Sequence, residues 1–368
     1  MLKAAHITKT AIVELRAPLI VPFRTALGQH DLLENILFTL ELNDGTKGYG
    51  EAAIATHITK ETIEETTKNL KKNGESLIGA DAANYLQISA QLHEKLPQNK
   101  SAVAAIEIAL MDALTRQWKI PLWKFFGHQS PPLSTDITIV IADVQETADS
   151  VKKFYGQGFR AFKVKIGRDE DLDLKRVLAV KRFAPRSAIY LDANQGYSAE
   201  QTLRFLKTLQ RFNVHPSLVE QPVAKDDWEG LKKVTQLAGI PIVADESVRS
   251  ISDCMRAIRE KTVSVINIKL MKTGIFHSRE IVTLAKSAGI KLMIGGMMET
   301  SLAMTASAHL ASGLGGFDYI DLDTPFFIKD GFDRNPFLNR RGIYDLRKVK
   351  AGVGITPHIS GLARSSAG

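Results

Sequence analysis

Three carboxylic acids stand at corresponding places in the second half of this chain. Asp192, Glu220 and Asp245 each follow a short apolar run and precede turn residues. If these runs are neighbouring strands of a barrel, the three carboxylates meet at one rim. Three oxygen donors with no His or Cys among them favour a hard divalent cation, Mg²⁺ before Mn²⁺. A single such acid is as often a helix N-cap, so the metal hypothesis depends on all three together.

Three lysines accompany the acids. Lys163 and Lys165 alternate with apolar residues in Phe162–Ile166, the period-2 pattern of a strand, and therefore project to the same side. Taken alone, this stretch would be a solvated edge strand. Lys269 ends another apolar run and would face Lys165 across the metal. Because a free lysine has a pKa of about 10.4, it must become more acidic to act as a base, and we expect Lys163, the metal and partial burial to lower that pKa.

Two amines that face each other across a metal-bound substrate permit two kinds of chemistry. In the first, one lysine removes a proton next to a carboxylate and the other returns a proton to the opposite face of the enediolate, which gives racemisation or epimerisation. In the second, one lysine is the base and the other is a cation that holds the enolate, which gives elimination or cycloisomerisation.

Two further acids follow the last predicted strand. Asp321 and Asp323 are two residues apart, so both would point into the mouth of the barrel. Lying apart from the metal set, they would suit a cationic group such as an α-ammonium. The alternative is that one caps a helix and the other is a surface acid.

The elements that must position these residues are short strands that alternate with amphipathic helices. Eight candidate strands recur about every 25 to 30 residues, the repeat length of a β/α barrel. No Gly-x-Gly-x-x-Gly follows the first of them to indicate a nucleotide fold. Ser198 and Gln201 form a capping box for a helix over Ala199–Arg211. The candidate strands are Asp136–Ile141, Ala161–Ile166, Ala188–Ala193, Ser217–Gln221, Ile242–Glu246, Ser264–Leu270, Lys291–Gly295 and Tyr319–Leu322.

Residues 1–125 have a different pattern, that of an α+β unit. Turn residues at 43–45 precede the last of three candidate strands, and a helix is predicted over Ser101–Trp118 with one apolar face. Pro22–Asp31 is predicted to be a loop. The barrel is expected over residues 126–325, and residues 326–368 are expected to pack back on the first unit. The three candidate strands are Thr10–Leu15, Asn35–Glu41 and Lys47–Glu51.

Composition excludes several classes of function. The net charge of +8 is scattered, with no long basic run, which argues against nucleic-acid binding. Cys254 is the only cysteine, so neither a disulfide framework nor a thiolate metal site is expected. No apolar run reaches the roughly 20 residues of a membrane span, and the first 23 residues do not resemble a signal peptide. A cytoplasmic protein is the expectation.

Taken together, these motifs resemble those of the enolase superfamily and, within it, the muconate-lactonizing subgroup. The similarity covers nearly the whole chain and implies an α/β fold, a modified barrel of the (β/α)7β type with an α+β capping domain. It also implies that Asp192, Glu220 and Asp245 bind Mg²⁺, that Lys165 and Lys269 are the acid/base pair, and that Lys163 assists electrostatically. The motifs are Lys163-Val164-Lys165, Asp192-Ala193-Asn194, Glu220-Gln221-Pro222, Asp245-Glu246-Ser247 and Asn267-Ile268-Lys269.

A narrower resemblance concerns the substrate. The Asp321-Leu322-Asp323 motif is similar to that of dipeptide epimerases, in which both aspartates hold the substrate's α-ammonium group. Asn194 and Glu246 would support the metal ligands. Met297, Met298 and Glu299 would form the pocket wall, although core packing explains the methionines equally well. The other expected substrate contacts are Thr138, Arg24 and Gly28.

One departure from that family bears on specificity. Ala-Glu epimerases can place an Arg just after a Thr-Ala-Leu like that at 25–27, where this chain has Gly28. Because burying a glutamate carboxylate without a cation is unfavourable, we predict an L-Ala-X substrate with apolar X, such as Ala, Val, Leu or Met. Arg24 or His57 could supply the missing cation instead. Loops Pro22–His30 and Ala53–Thr59 would close over the substrate.

The sequence leaves other functions open. On the same scaffold they are L-Ala-D/L-Glu epimerase, N-acylamino acid racemase, o-succinylbenzoate synthase and muconate cycloisomerase. From a different class, the alternative is a non-catalytic protein that binds a metal and a ligand. The expected partner is a small dipeptide, and neither nucleic acid nor a membrane is expected. Members of the family are often homo-oligomers, but no stretch of this sequence identifies an interface.

Overall fold

An antiparallel sheet forms the first part of the fold. The computed structural model describes residues 4–127, 131–329 and 335–357. Strands β1 (Ile7–Arg24), β2 (Gln29–Leu42) and β3 (Lys47–Ala53) pair in that order and contain the three predicted strands.

The prediction of a loop over Pro22–Asp31 was wrong for most of its length. Phe23 pairs with His30 and Arg24 with Gln29, so β1 and β2 continue to a short turn. In that turn the Thr25 amide donates to the Gly28 carbonyl at 2.9 Å. The polar and glycine-containing sequence that favoured a loop is accommodated at the tip of a long hairpin.

Five helices complete this part of the chain. The longest, α4, was predicted to have one apolar face, but every side chain from Ser101 to Thr115 is buried. It lies between β3 on one side and a barrel helix on the other. Gly50 of β3 permits the close approach, since a Cβ there would overlap the Ala105 carbonyl. The helices are α1 (Thr56–Thr59), α2 (Ile63–Ser76), α3 (Tyr85–Lys95), α4 (Lys100–Gln117) and α5 (Leu122–Phe126).

Strands β5 to β12 form a parallel sheet in which each strand neighbours the next along the chain. The Asp136 amide donates to the Ile320 carbonyl at 3.0 Å, which joins the first strand to the last and closes the barrel. All eight predicted strands are present, each slightly shorter than expected. The remaining strands are β4 (Leu133–Ser134), β5 (Ile137–Ile139), β6 (Ala161–Lys165), β7 (Ala188–Asp192), β8 (Leu218–Glu220), β9 (Ile242–Ala244), β10 (Val265–Ile268), β11 (Lys291–Ile294), β12 (Tyr319–Ile320) and β13 (Ile343–Tyr344).

Helices cover the outside of the barrel. The predicted capping box of α8 is confirmed, because the Ser198 hydroxyl accepts from the Gln201 amide at 3.2 Å and the Gln201 side chain accepts from the Ser198 amide at 2.8 Å. Among the described helices, none is long and apolar enough to cross a membrane. The helices are α6 (Val144–Gln157), α7 (Glu170–Phe183), α8 (Ala199–Arg211), α9 (Trp228–Leu237), α10 (Ile251–Glu260), α11 (Leu270–Ser287) and α12 (Ser301–Leu314).

Part of the C-terminal segment contacts the first unit. The Val353 amide donates to Asp112 of α4 at 2.6 Å, and Arg116 of the same helix donates to the Ile355 carbonyl at 2.8 Å. Strands β4 and β13 pair with each other. Residues 330–334 and 358–368 lie outside the described residues. The bounds of the three predicted domains, 1–125, 126–325 and 326–368, stay predictions.

Candidate active site

The side chains expected to do chemistry lie at the C-terminal ends of the barrel strands. Lys165, Asp192 and Glu220 end β6, β7 and β8 and are paired in register. Asp245 and Lys269 directly follow β9 and β10. Since three strands separate β6 from β10 in an eight-stranded barrel, Lys165 and Lys269 approach the centre from opposite sides.

Lys163 lies at the centre of the charged cluster. Its Nζ is 2.6 Å from Glu220 Oε2, 2.7 Å from Asp321 Oδ2 and 3.1 Å from Asp192 Oδ2. Its side chain is almost completely buried. Removing an ammonium group from water costs several kcal/mol unless anions surround it, and here three carboxylates do so.

The other lysines are each paired with one predicted metal ligand. Lys165 Nζ is 2.6 Å from Asp192 Oδ2, and Lys269 Nζ is 2.7 Å from Asp245 Oδ2. Lys272 Nζ adds a contact of 2.8 Å to the second oxygen of Asp245. The sequence argument did not identify Lys272, although its place one helical turn after Lys269 was a signal.

These contacts change the pKa values of Lys269 and Asp192. Burial lowers the pKa of Lys269, but the charges of Asp245 and Glu220 outweigh it and raise that pKa above its usual value. Burial raises the pKa of Asp192, but Lys165 and Lys163 outweigh it and lower that pKa to about 2. The direct contact between Lys269 and Asp245 was not part of the sequence argument.

The chemistry of the acidic residues fits a divalent metal. Asp192, Glu220 and Asp245 present only oxygen donors at one rim, as a hard cation requires. Burial and the neighbouring charge of Asp192 raise the pKa of Glu220 to about 6, which shows that the carboxylates repel one another despite the lysines. Added positive charge would relieve that repulsion.

A second acidic cluster lies beside the first. Among the described residues, Asp136, Asp321 and Asp323 form the set of three whose ligand oxygens lie within 4.8 Å of one another. Asp323 Oδ2 accepts from the Thr138 amide at 2.5 Å, and Asp321 contacts Lys163. Neither oxygen of Asp136 has a hydrogen-bond partner among the described residues. This end of the site would attract a cationic group.

Asp136 was missed by the sequence argument. It is buried, and its pKa is raised well above the usual value by burial and by the charges of Asp321 and Asp323. The available signal was its position two residues before Thr138, the same spacing that drew attention to Asp321 and Asp323.

A cavity opens beside the charged residues. Asp192, Glu220 and Asp245 do not line it, and two of them are paired with the lining residues Lys165 and Lys269. Seven further lining residues were not identified as site residues from the sequence, namely Phe23, Thr25, His30, Ala55, Ile58, Gly296 and Thr324. The predicted site residues that line it are Thr138, Lys163, Lys165, Asn194, Lys269, Met297, Met298, Asp321 and Asp323.

Four other predicted site residues, besides the three carboxylates, do not line the cavity. Arg24 donates to the Gln29 side chain at 3.0 Å, and the Gly28 carbonyl closes the hairpin turn. Glu299 is fully buried and accepts from the Met297 amide at 2.6 Å, so it supports the cavity wall from behind. Glu246 is also buried, 3.5 Å from the Asn194 amide group. The side chain of His57 lies outside the described part of the structure.

Comparison with known proteins places the whole chain in one family. Residues 146–360 match the model of enolase C-terminal domain-like proteins. Residues 7–127 match the model of the mandelate racemase / muconate lactonizing enzyme N-terminal domain. The two matches cover the first unit and the barrel from α6 onward.

Individual relatives match along nearly their full length. A hydrophobic dipeptide epimerase of Citrifermentans bemidjiense is 47% identical over 94% of this chain and 96% of its own. An aromatic dipeptide epimerase of Herpetosiphon aurantiacus is 40% identical over 93% of this chain and 96% of its own. The structure of an Enterococcus faecalis dipeptide epimerase, complexed with Mg and L-Leu-L-Tyr, matches with a TM-score of 0.90 and 31% identity over 96% of this chain and all of its own. This chain therefore belongs to the mandelate racemase / muconate lactonizing enzyme family of the enolase superfamily.

Proposed function

We propose that this protein is an isomerase that epimerises dipeptides at the Cα of the C-terminal residue by 1,1-proton transfer. The observation that carries the proposal is the placement of Lys165 and Lys269 on opposite sides of one cavity whose wall also includes Asp321 and Asp323. Relatives at 40% and 47% identity that are named dipeptide epimerases support it.

We propose that the reaction requires a divalent metal, on the basis of the family and of the acidic residues at the barrel rim. Family membership supports a divalent metal, and we propose that it is Mg²⁺ held by Asp192, Glu220 and Asp245, whose donors are all oxygens. The bound ion would neutralise the substrate carboxylate and make the Cα proton more acidic.

The two lysines carry the proton. For one epimer, Lys165 as the neutral amine removes the Cα proton and Lys269 as the ammonium group returns a proton to the opposite face; for the other epimer the roles are exchanged. Lys163 remains charged among its three carboxylates and stabilises the negative charge that develops on the enediolate.

The amino end of the substrate would bind at the second acidic cluster. Asp321 and Asp323 both line the cavity, and the Thr138 amide fixes one oxygen of Asp323. A substrate α-ammonium would meet two carboxylates there, each a charge-assisted partner. An N-acyl substrate has no cation to offer, so this cluster favours a dipeptide.

The rest of the cavity favours an apolar side chain at the C-terminal residue. Phe23, Ala55, Ile58, Met297 and Met298 contribute apolar surface. Arg24, which could have paired with a glutamate side chain, contacts Gln29 outside the cavity. We therefore propose L-Ala-X substrates in which X is Ala, Val, Leu or Met. A kinetic panel in which Ala-Glu has the highest kcat/KM would contradict that choice.

Deuterium uptake tests the proposal directly. The protein is incubated in D₂O with Mg²⁺ and a library of L,L-dipeptides, and mass spectra are recorded. We expect a gain of one dalton on apolar Ala-X dipeptides, because the returned proton comes from solvent. EDTA should abolish the gain and the Lys165→Ala variant should lack epimerisation. Exchange on N-succinylamino acids alone would assign the protein to racemase chemistry instead.

A further inference from the structure

Lys269 lies on a short backbone segment between the end of strand β10 and the interruption of helix α11 at Gly274. Lys269 follows β10 and is followed by one helical turn, in which the Lys272 amide donates to the Lys269 carbonyl at 2.9 Å. Gly274 then interrupts α11 with φ of 65° and ψ of −173°. The regular part of the helix begins again at Ile275.

A carboxylate from outside the barrel accepts hydrogen bonds from the backbone where α11 resumes after Gly274. Glu107 of α4 accepts from the Ile275 amide at 2.5 Å and from the Phe276 amide at 3.3 Å, both through Oε2. These are N–H groups that a helix N-terminus leaves without partners in its own turn, and a carboxylate is the favoured acceptor there. At Gly274 a Cβ would overlap the same oxygen, so the backbone and Glu107 are in direct contact.

Glu107 is itself held in place. Its side chain is fully buried, and Oε1 accepts from the Ser89 hydroxyl at 2.6 Å. The Nε2 atom of His93 lies 3.3 Å from the same oxygen, and Lys100 contacts the other ring nitrogen of His93 at 3.1 Å. Ser89 and His93, both on α3, therefore contact the carboxylate and hold it, so its position is transmitted to the segment after Lys269.

The barrel holds the other side of this turn. Lys272 Nζ donates to the Asn267 carbonyl at 2.9 Å and to the Asp245 carbonyl at 2.7 Å. The opposite base is anchored differently, because Arg176 of α7 donates to the Lys165 carbonyl at 2.6 Å. Loss of Glu107 would therefore release one end of the Lys269 segment while the backbone at Lys165 keeps its support.

We propose that Glu107 is a positioning residue for Lys269, so that a side chain on α4 sets the geometry of one of the two bases. The inference rests on the proposed function, in which each base serves one epimer. A displaced base slows its own proton transfer steeply, by about 10- to 100-fold for a shift near 1 Å. The other base, whose support is unchanged, keeps its rate.

The test compares Cα deuterium exchange from the two epimers of one dipeptide in D₂O with Mg²⁺. The Lys165→Ala and Lys269→Ala variants first establish which epimer is deprotonated by which lysine. For Glu107→Ala we expect exchange from the Lys269 epimer to fall about 10- to 100-fold. We expect exchange from the Lys165 epimer, and KM for both, to stay within about threefold of wild type.

The matched control is Asp112→Ala. Asp112 is also fully buried on α4, and it accepts from the Val353 amide at 2.6 Å and the Tyr49 amide at 3.1 Å. It has no hydrogen bond to the Lys269 segment in the described structure, so its loss should change both exchange rates equally. An equal loss of both rates in Glu107→Ala would overturn the proposal, because a merely structural defect has that result.

A second variant covers the case in which Glu107→Ala does not fold, as judged by circular dichroism. Glu107→Gln keeps the shape and one acceptor oxygen but loses the charge, and the ratio of the two exchange rates should move at least about threefold in the same direction. An unchanged ratio overturns the proposal. If the wild-type protein exchanges no dipeptide, the proposed function fails and this inference fails with it. If the wild-type protein is active and the Glu107 variants lose both exchange rates equally, only this inference is refuted.

Discussion

At the scale of single residues, the site is a set of buried charges whose carboxylates outnumber their lysines. Lys163 alone contacts three of the acids. The surplus of negative charge, together with burial, raises the pKa of Glu220 to about 6 and that of Asp323 to about 6. A divalent cation at one end and an ammonium group at the other would balance that surplus, which is why metal and dipeptide fit one architecture.

The first prediction at the residue scale concerns Asp321 and Asp323, which we propose bind the substrate's α-ammonium group. Replacing Asp321 or Asp323 by Asn removes a charged partner and keeps the shape of the side chain. We expect kcat/KM for L-Ala-X to fall about 10- to 100-fold for each variant, since a buried charge-assisted hydrogen bond is worth about 1.5–3 kcal/mol. Steady-state epimerisation followed by polarimetry measures it.

The matched substrate is propionyl-X, which lacks only the α-amino group. Wild-type protein should prefer L-Ala-X to propionyl-X, and the preference should shrink in both variants because the discriminating charge has gone. If the ratio of the two kcat/KM values is unchanged in Asp321→Asn and Asp323→Asn, these aspartates do not hold the ammonium group.

At the scale of elements, α7 supports the strands that bear the first base. Arg176 is fully buried and donates to the carbonyls of Lys165 and Val140, each at 2.6 Å, and to Asp173 at 3.2 Å. It therefore joins the C-terminal ends of β5 and β6 from the outside of the barrel.

Arg176→Met should destabilise the protein by about 3–5 kcal/mol, because one oxygen of the buried Asp173 carboxylate and two carbonyls lose this donor. Arg204→Met is the matched change on α8, where Arg204 pairs with Glu170 at 2.5 Å but is largely exposed. It should cost at most about 1 kcal/mol. Urea unfolding followed by circular dichroism measures both, and equal losses would contradict the argument.

Local pattern predicted most elements, and contacts that are distant in sequence explain the rest. The period-2 run at Phe162–Ile166 and the capping box at Ser198 need only neighbouring residues, and both are present in the structure. The hairpin at 22–31 was missed because Phe23 packs edge-on against Phe327, some 300 residues away. Arg176 and Glu107 acquire their roles from backbone groups on other elements, for which no local pattern exists.

At the scale of the whole molecule, buried polar side chains join the first unit to the barrel. Glu51 of β3 accepts from the Thr300 amide at 2.9 Å at the start of α12. Asn35 of β2 donates both to Glu51 at 2.6 Å and to the Met298 carbonyl at 2.8 Å. Since Met298 lines the cavity, the first unit also holds part of the cavity wall.

His309 of α12 also joins separate elements through hydrogen bonds, and its side chain can change protonation state with pH. Its Nδ1 accepts from the Trp123 amide of α5 at 3.0 Å, and its Nε2–H donates to the Val353 carbonyl at 3.1 Å. The bond from Trp123 requires the neutral ring, because protonation of Nδ1 would place a second N–H opposite the N–H of Trp123. Burial lowers the pKa of His309 to about 3, although the Val353 contact partly opposes that change.

The lowered pKa makes the stability that His309 contributes depend on pH. Because an unfolded histidine titrates near pH 6.5, this contribution is complete above about pH 6.5 and decreases by about 1.4 kcal/mol per pH unit as the pH falls toward 3. His309→Gln keeps an acceptor and a donor but cannot be protonated. We expect the variant to be less stable at pH 7, and the difference from wild type to narrow by about 2 kcal/mol at pH 5. Urea unfolding at pH 5, 6 and 7 measures it. Because every other titrating group is common to the two proteins, parallel pH profiles would mean that the pKa of His309 is the same in the folded and unfolded states.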